Sequence, residues 1–496
     1  MLYNSTRDSK VSVTSAKAIS KGISSEGGLF VPESFPQITL DDINRLSKMD
    51  YINRAKYILS LYLTDFTEDE IDYCVNGAYK KGKFECDDIA HLVNITDGCN
   101  ILELWHGPTC AFKDMALQLL PFLLTVAAKK TCGGKTIVIL VATSGDTGKA
   151  ALEGFKDVPG TQIMVFYPEQ GVSQMQKLQM CTQEGENVSV FAIKGNFDDA
   201  QTGVKKIFTD KDVAEKLAEN NMMFSSANSI NWGRLVPQII YYVSAYCDMI
   251  NNNQISLGDK INIDVPTGNF GNILAAYYAM KMGLPVNKLI CASNANNVLT
   301  DFIKTGTYDR NRHFYTTISP SMDILISSNL ERLLYDLSGK NSDKVNKWMD
   351  SLNKTGKYTV DDDIKEKISK IFAAGFCDDI QTKATIKDMF DKGYLSDTHT
   401  SVAIKVYKDY VAYKNDNTPT VIASTASPYK FSSSVLEALC GNCDDISEFD
   451  KVNKLYETTK MPVPKSLQEL KNKEIRFKIS CEKDDMENTV LNELIK

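Results

Sequence analysis

The sequence lacks any apolar run long enough to cross a bilayer. Its longest uncharged apolar stretch, Ala116–Ala128, carries Gln118 and Pro121 and falls short of the roughly 20 residues a spanning helix needs. No secretory signal opens the chain, since MLYNSTRDSK is polar. Lys and Arg form no cluster, and a net charge of −7 is spread along the chain, which speaks against nucleic acid and anionic membrane surfaces as partners. Of twelve cysteines only Cys440 and Cys443 form a CxxC pair. That pair has no second pair and no histidine beside it, so neither zinc nor redox chemistry is expected, and the other thiols read as reduced. Internal repeats, low-complexity tracts and a P-loop are also missing. What remains is 496 residues, 43% hydrophobic and 24% charged, as expected of a cytoplasmic globular protein of two or three domains, without a metal.

Within that composition, short β-branched runs alternate with helical patterns. KTIVILVATSGDTG is a buried strand running into a small-residue loop, with KAALEGFK following as a helix. TQIMVFYPE and VSVFAIKG are further strands. KINIDVPTGNFGN repeats the strand–loop design, and its helix ILAAYYAMKMGLP closes on a glycine and a proline. NKLICASNAN and TPTVIASTASPYK end likewise in small polar residues. Such alternation predicts open parallel α/β architecture. The stretches 338–365 and 414–419 read as surface connections, and the charged tail after 444 as an appended subdomain.

Three strand ends and one lysine carry the candidate chemistry. Open parallel sheets bind ligands beyond the carboxyl ends of their strands, where helix N-termini also point. TSGDTG (143–148) offers hydroxyls and bare N–H groups suited to a carboxylate, TGNFGN (267–272) two glycines suited to a phosphate ester, and STAS (424–427) neutral hydroxyls. In HGPTCAFKDM (106–115), Lys113 stands between an aromatic and an acid, ahead of an apolar helix. A partly apolar site lowers a lysine's pKa and frees its amine as a nucleophile. A phosphate-bearing aldehyde cofactor, pyridoxal 5'-phosphate, accounts for all four features.

SEGGLF, HGPTCAFKD, ATSGDTG, SANSINWGRL, PTGNFGN and STASPYKF together resemble the threonine synthase family, of the longer class found in fungi and bacteria. That family lies within the fold-type II (tryptophan synthase β-like) enzymes. The resemblance covers nearly the whole chain. It implies an N-terminal segment over 1–95, a cofactor-dependent core over 96–435 with a smaller mobile domain at about 110–205, and a C-terminal subdomain over 436–496. Two open α/β domains would hold the cofactor in the cleft between them. It implies Lys113 as the cofactor-bearing residue, Gly268, Asn269, Phe270, Gly271 and Asn272 around the cofactor phosphate, and Thr425 facing the pyridine nitrogen. The substrate carboxylate would meet Thr143, Ser144, Gly145, Asp146 and Thr147, and the substrate phosphate Asn228, Ser229 and Arg234.

The activity so implied is conversion of O-phospho-L-homoserine and water into L-threonine and phosphate, by a monomer or homodimer, with Lys113 carrying protons. Other fold-type II lyases and a non-catalytic, cofactor-binding relative are the alternatives. Three departures from the family pattern are visible: Ser427 follows the late TA motif, Asp146 stands where many relatives carry asparagine, and Met115 stands where some carry a second lysine. Asp146 is expected to orient its loop through backbone N–H groups, and Asp114 to bond loop backbone at a helix start. His106 is open between a cofactor contact and a structural hydrogen bond. His399 is expected just before a helix capped by Thr400, with Trp105 and Phe112 as packing residues.

Overall fold

The computed structural model describes residues 1–96, 98–143, 145–169, 172–443 and 445–495. IVILV has no polar face and is stable only when covered on both sides, whereas INIDV alternates its apolar residues with Asn262 and Asp264 and is nevertheless buried throughout. They build two open sheets. The larger has the strand order 372–376, 286–293, 261–266, 420–424, 99–103, 91–96, and all neighbours run parallel except the last pair. The smaller is parallel throughout, in the order 480–482, 188–194, 161–168, 136–142, 222–225.

Four strands and the helices near their ends position the cleft. The strands are β1 (Cys99–Glu103), β2 (Thr136–Ala142), β3 (Ile261–Pro266) and β4 (Thr420–Ser424). The helices are α1 (Asp146–Phe155), α2 (Trp232–Asn251), α3 (Gly271–Lys281) and α4 (Thr398–Lys414). In the larger sheet β4 lies between β3 and β1. The strand after β3 pairs on its other side, so the chain order reverses at β3 and opens a crevice there.

The apolar stretch 116–128 divides at Pro121 into helices Lys113–Leu117 and Leu120–Thr131. Pro121 falls in the first turn of the second helix, where a missing N–H costs nothing. Helix α1 crosses the first of these helices at close range, because a Cβ on Gly154 would lie 2.0 Å from the Leu117 carbonyl oxygen. The N-terminal residues form a three-stranded sheet and several helices. They pack on α2 through Tyr3 and Tyr62, whose rings lie 5.2 and 5.5 Å from Trp232.

The stretch 338–365 is not a surface connection. It holds helix Ser342–Thr355, strand Lys357–Thr359 and the start of helix Asp362–Ile371, with Val345, Trp348 and Leu352 buried. Charged residues between those three hide the helical spacing from a reading by overall polarity. Residues 415–419 do form a loop. The C-terminal tail returns to the smaller sheet: Ser480–Glu482 extends its edge, and helix Met486–Leu494 adds Met486 and Val490 to a core with Val138, Phe166 and Phe191.

Candidate active site

Lys113 begins a short helix beyond β1. The loop leading to it is fixed by Asp114, whose carboxylate accepts from the Thr109 N–H (2.8 Å) and the Thr109 hydroxyl (2.7 Å). The Phe112 N–H donates to the Thr425 carbonyl (2.9 Å), which locks the ends of β1 and β4 together. The Lys113 amine donates to Ser321 Oγ at 3.2 Å and lies 3.6 Å from Asp146 Oδ2. Burial pushes its pKa below the ordinary lysine value; Asp146 opposes that shift, while Lys430 and Arg234 reinforce it.

Asp146 opens α1, and its other oxygen lies 2.9 Å from Lys430 Nζ. Burial opposes ionisation of this carboxyl, but Lys430 and Lys113 outweigh burial and hold it well below the usual carboxylate range. Asp146 thus faces two cations rather than the backbone N–H groups expected of it. Thr143 organises the loop instead: its Oγ accepts from the N–H groups of Gly145 (3.0 Å) and Gly148 (3.1 Å). Thr143 and Thr147 line the cavity, whereas Ser144 lies outside the described residues.

Across the cleft, β3 runs into α3 through 267–270, with Phe270 in the left-handed region at φ 63°, an uncommon conformation for a bulky residue. Two carbonyls of this loop are tied back, Gly268 O by Ser327 Oγ (2.7 Å) and Asn269 O by Asn329 Nδ2 (3.0 Å). The first-turn N–H groups of α3 have no intrahelical acceptor. Asn272 Oδ1 accepts from the hydroxyls of Tyr241 and Tyr242, and its buried Nδ2 has no partner among the described residues.

Arg234 stands in the first turn of α2, which Asn231 caps through the Gly233 N–H (2.8 Å). The guanidinium is buried and donates through Nη1 to the Ala227 carbonyl (2.6 Å), while Nε has no partner among the described residues. Burial alone lowers its pKa, to about 10. A buried guanidinium with no anion beside it is expensive unless an anionic ligand completes it.

A cavity of about 510 Å³ brings these groups together. It is lined by Lys113, Thr143, Thr147, Asn228, Ser229, Arg234, residues 268–272 and Thr425. Asp146 reaches this cavity only through its ion pair with Lys113. His106 is not part of the lining: it bonds Glu103 Oε2 at 2.7 Å and stacks on Trp105. Ser427 caps a short turn by accepting from the Tyr429 N–H. His399 lines the cavity, and its helix is capped by Asp397 rather than Thr400. His399 Nε2 accepts from the Ser321 N–H (3.1 Å), so Nδ1, 3.1 Å from Asp397, carries the proton.

Sequence reasoning missed Ser321, Lys430 and Arg332. Arg332 is fully buried and donates to the carbonyls of Phe30 and Ile230 and to Asn329 Oδ1. For Lys430 a signal existed, since STASPYKF includes it. Among the described residues one group, Cys86, Asp88 and His91, has donor atoms within 4.8 Å of one another, and none of the three lines this cavity.

The desolvated amine of Lys113, the unpartnered Asn272 Nδ2 at the head of α3 and the unpaired Arg234 suit a ligand set with an aldehyde and two phosphates. Fold and site define a pyridoxal-phosphate-dependent enzyme: residues 95–361 match the family model described as "Pyridoxal-phosphate dependent enzyme". Residues 2–79 match "Threonine synthase N terminus" and 400–490 "Threonine synthase, C-terminal". The chain is 35% identical to threonine synthase of Saccharomyces cerevisiae, over 100% of its own length and 98% of the relative's. It is 41% identical to human "Threonine synthase-like 1" over 86% of its length, and spans only 58% of that protein. The crystal structure of PLP-bound threonine synthase from Brucella melitensis superposes with a TM-score of 0.89 at 33% identity, covering 100% of both chains. The chain belongs to the threonine synthase family of pyridoxal-phosphate-dependent enzymes.

Proposed function

We propose that this chain is a working threonine synthase, converting O-phospho-L-homoserine and water into L-threonine and phosphate. The observation that carries the reading is Arg234, a buried guanidinium without a counter-anion in the wall of the Lys113 cavity. Its planar fork meets a substrate phosphate through two parallel hydrogen bonds, with Asn228 and Ser229 beside it. Residues 268–272 would hold the cofactor phosphate at the head of α3, Lys113 would hold the cofactor, and Thr425 would face its ring nitrogen. When bound, the cofactor's ring takes up the electron pairs left at substrate carbon when protons depart.

The chain's own groups supply the rest. Lys113 carries a proton between the α- and β-carbons, a role that suits a buried amine whose pKa burial lowers from the ordinary lysine value. Ser321 Oγ orients that amine, and His399 holds Ser321 through its backbone N–H. Thr143 and Thr147 would receive the substrate carboxylate, with the first-turn N–H groups of α1 beside them. Asp146 leaves the carboxylate unrepelled because Lys430 neutralises it.

Incubation of purified protein with pyridoxal 5'-phosphate and O-phospho-L-homoserine should release phosphate and threonine in equal amounts. Lys113→Ala should abolish both products and the visible absorbance of lysine-bound cofactor. Cofactor binding without turnover would instead favour a binding role. Deamination of serine without action on the phosphorylated substrate would favour another lyase.

A further inference from the structure

We propose that Lys430 is a positioning residue: it holds the Asp146 carboxylate across the cleft and so leaves the Lys113 amine free to shed its proton. The proposal rests on the reading of Lys113 as the cofactor-bearing lysine.

The ion pair joins the two sheets. Asp146 follows β2 of the smaller sheet, whereas Lys113 and Lys430 follow β1 and β4, which are neighbours in the larger one. Lys430 Nζ lies 2.9 Å from Asp146 Oδ1 and donates to the Thr109 carbonyl at 2.9 Å. Thr109 is in turn held by Asp114, so the Lys430 ammonium is anchored on the loop that carries Lys113. Its side chain is 3% exposed, which leaves Asp146 rather than water as its counter-ion.

Two buried ammonium groups thus compete for one carboxylate. The shorter contact goes to Lys430, at 2.9 Å against 3.6 Å for Lys113. The surplus positive charge then falls on Lys113, and Arg234 adds to it. Loss of a proton from Lys113 leaves the Lys430–Asp146 pair neutral, with no atom displaced. The remaining titratable neighbours are His399, which faces Asp146, and Cys110 and Asp114, which face Lys430. Burial works against the charge of Lys430, but Asp146 outweighs it and raises the Lys430 pKa, so Lys113 is the partner that yields.

The test is the pH dependence of pyridoxal 5'-phosphate uptake by the full-length chain stripped of cofactor, followed by visible absorbance. Uptake requires the free amine, which attacks the aldehyde carbon with loss of water. Lys430→Met leaves Asp146 to stabilise the Lys113 ammonium, so the midpoint of the uptake rate should rise by about one pH unit or more. Asp146→Asn removes the anion and leaves the two cations facing each other, so the midpoint should fall. Lys430→Arg keeps the charge and should return the midpoint towards the parent's.

Opposite shifts in the first two variants support the proposal. Shifts in the same direction, or unmoved midpoints with only weaker binding, would overturn it and make the pair scaffold. If Lys430→Met does not fold, Asp146→Asn and Lys430→Arg decide alone: an unmoved midpoint in the former overturns the idea. Retention of the absorbance in Lys113→Ala would instead refute the underlying assignment of Lys113.

Discussion

Arg234 shows how much one side chain can decide. Its guanidinium donates to one carbonyl and otherwise faces the cavity without an anion. Truncating one partner of a buried, hydrogen-bonded charge pair costs about 2–5 kcal/mol, or roughly 30- to 5000-fold in binding. Arg234→Ala should therefore depress turnover of O-phospho-L-homoserine on that scale while leaving cofactor absorbance unchanged, since the proposed seat of the cofactor phosphate is residues 268–272. Arg234→Lys should recover only part, because a point charge cannot reproduce the fork. Slow deamination of serine, which carries no phosphate, should be indifferent to both; equal losses on both substrates would make Arg234 scaffold. Thr425 offers a second residue-level test. With Thr425 at the ring nitrogen, as proposed, a neutral hydroxyl would leave that nitrogen weakly protonated, and Thr425→Asp should raise its proton affinity. The cofactor spectrum and the ratio of threonine to side products should both change, and constancy of both would remove Thr425 from the nitrogen.

At the scale of elements, what the sequence could reveal depended on how local the cause was. Strand Thr136–Ala142 was legible as an unbroken apolar run from Ile137 onward, and Ile261–Pro266 because Ile261, Ile263 and Val265 alternate with Asn262 and Asp264. The glycine loops were legible because chain order places them directly between strand and helix. Helix Ser342–Thr355 was not, since three buried residues are diluted among charges. The role of Asp146 was invisible for a different reason: its counter-ion Lys430 bonds a carbonyl 321 residues away in the chain, and no local pattern encodes such a meeting. The cap of α4 was misplaced by three residues, although Asp397 is as good a cap type as Thr400. Ser321, whose Oγ accepts from Lys113, also marks the closest approach to the phosphate loop: a Cβ on Gly268 would stand 2.6 Å from its carbonyl oxygen. Gly268→Ala should push the 320–322 turn away, at a cost of about 1–3 kcal/mol. An absorbance titration should show cofactor affinity weakened by roughly 5- to 150-fold, with Lys113 still reactive. Unchanged affinity would mean that the turn yields freely.

Across the whole molecule, the N-terminal segment meets the site through carbonyl groups rather than side-chain chemistry. Ile19 O accepts from Asn231 Nδ2 (3.0 Å), and Ser20 O from Ser225 Oγ (2.8 Å), on either side of loop 226–230, the proposed seat of the substrate phosphate. Phe30 O accepts from Arg332 Nε at 2.9 Å. The same guanidinium reaches the Ile230 carbonyl and Asn329, which itself holds Asn269 in the phosphate loop. Arg332 thus ties three stretches that the chain places far apart: SEGGLF, loop 226–230 and loop 267–270. Lysine lacks the fork to serve all three, and a neutral side chain serves none. Arg332→Met removes the charge but strands several buried acceptors, each worth about 1–3 kcal/mol when left unmade. The variant should lose about 3 kcal/mol or more of stability in denaturant unfolding. Its sharper consequence is local: amide exchange should quicken together in residues 24–32 and 226–231, and KM for O-phospho-L-homoserine should rise more than kcat falls. Faster exchange in only one of those segments would show that they are fastened separately, and that Arg332 is not what couples the N-terminal segment to the cleft.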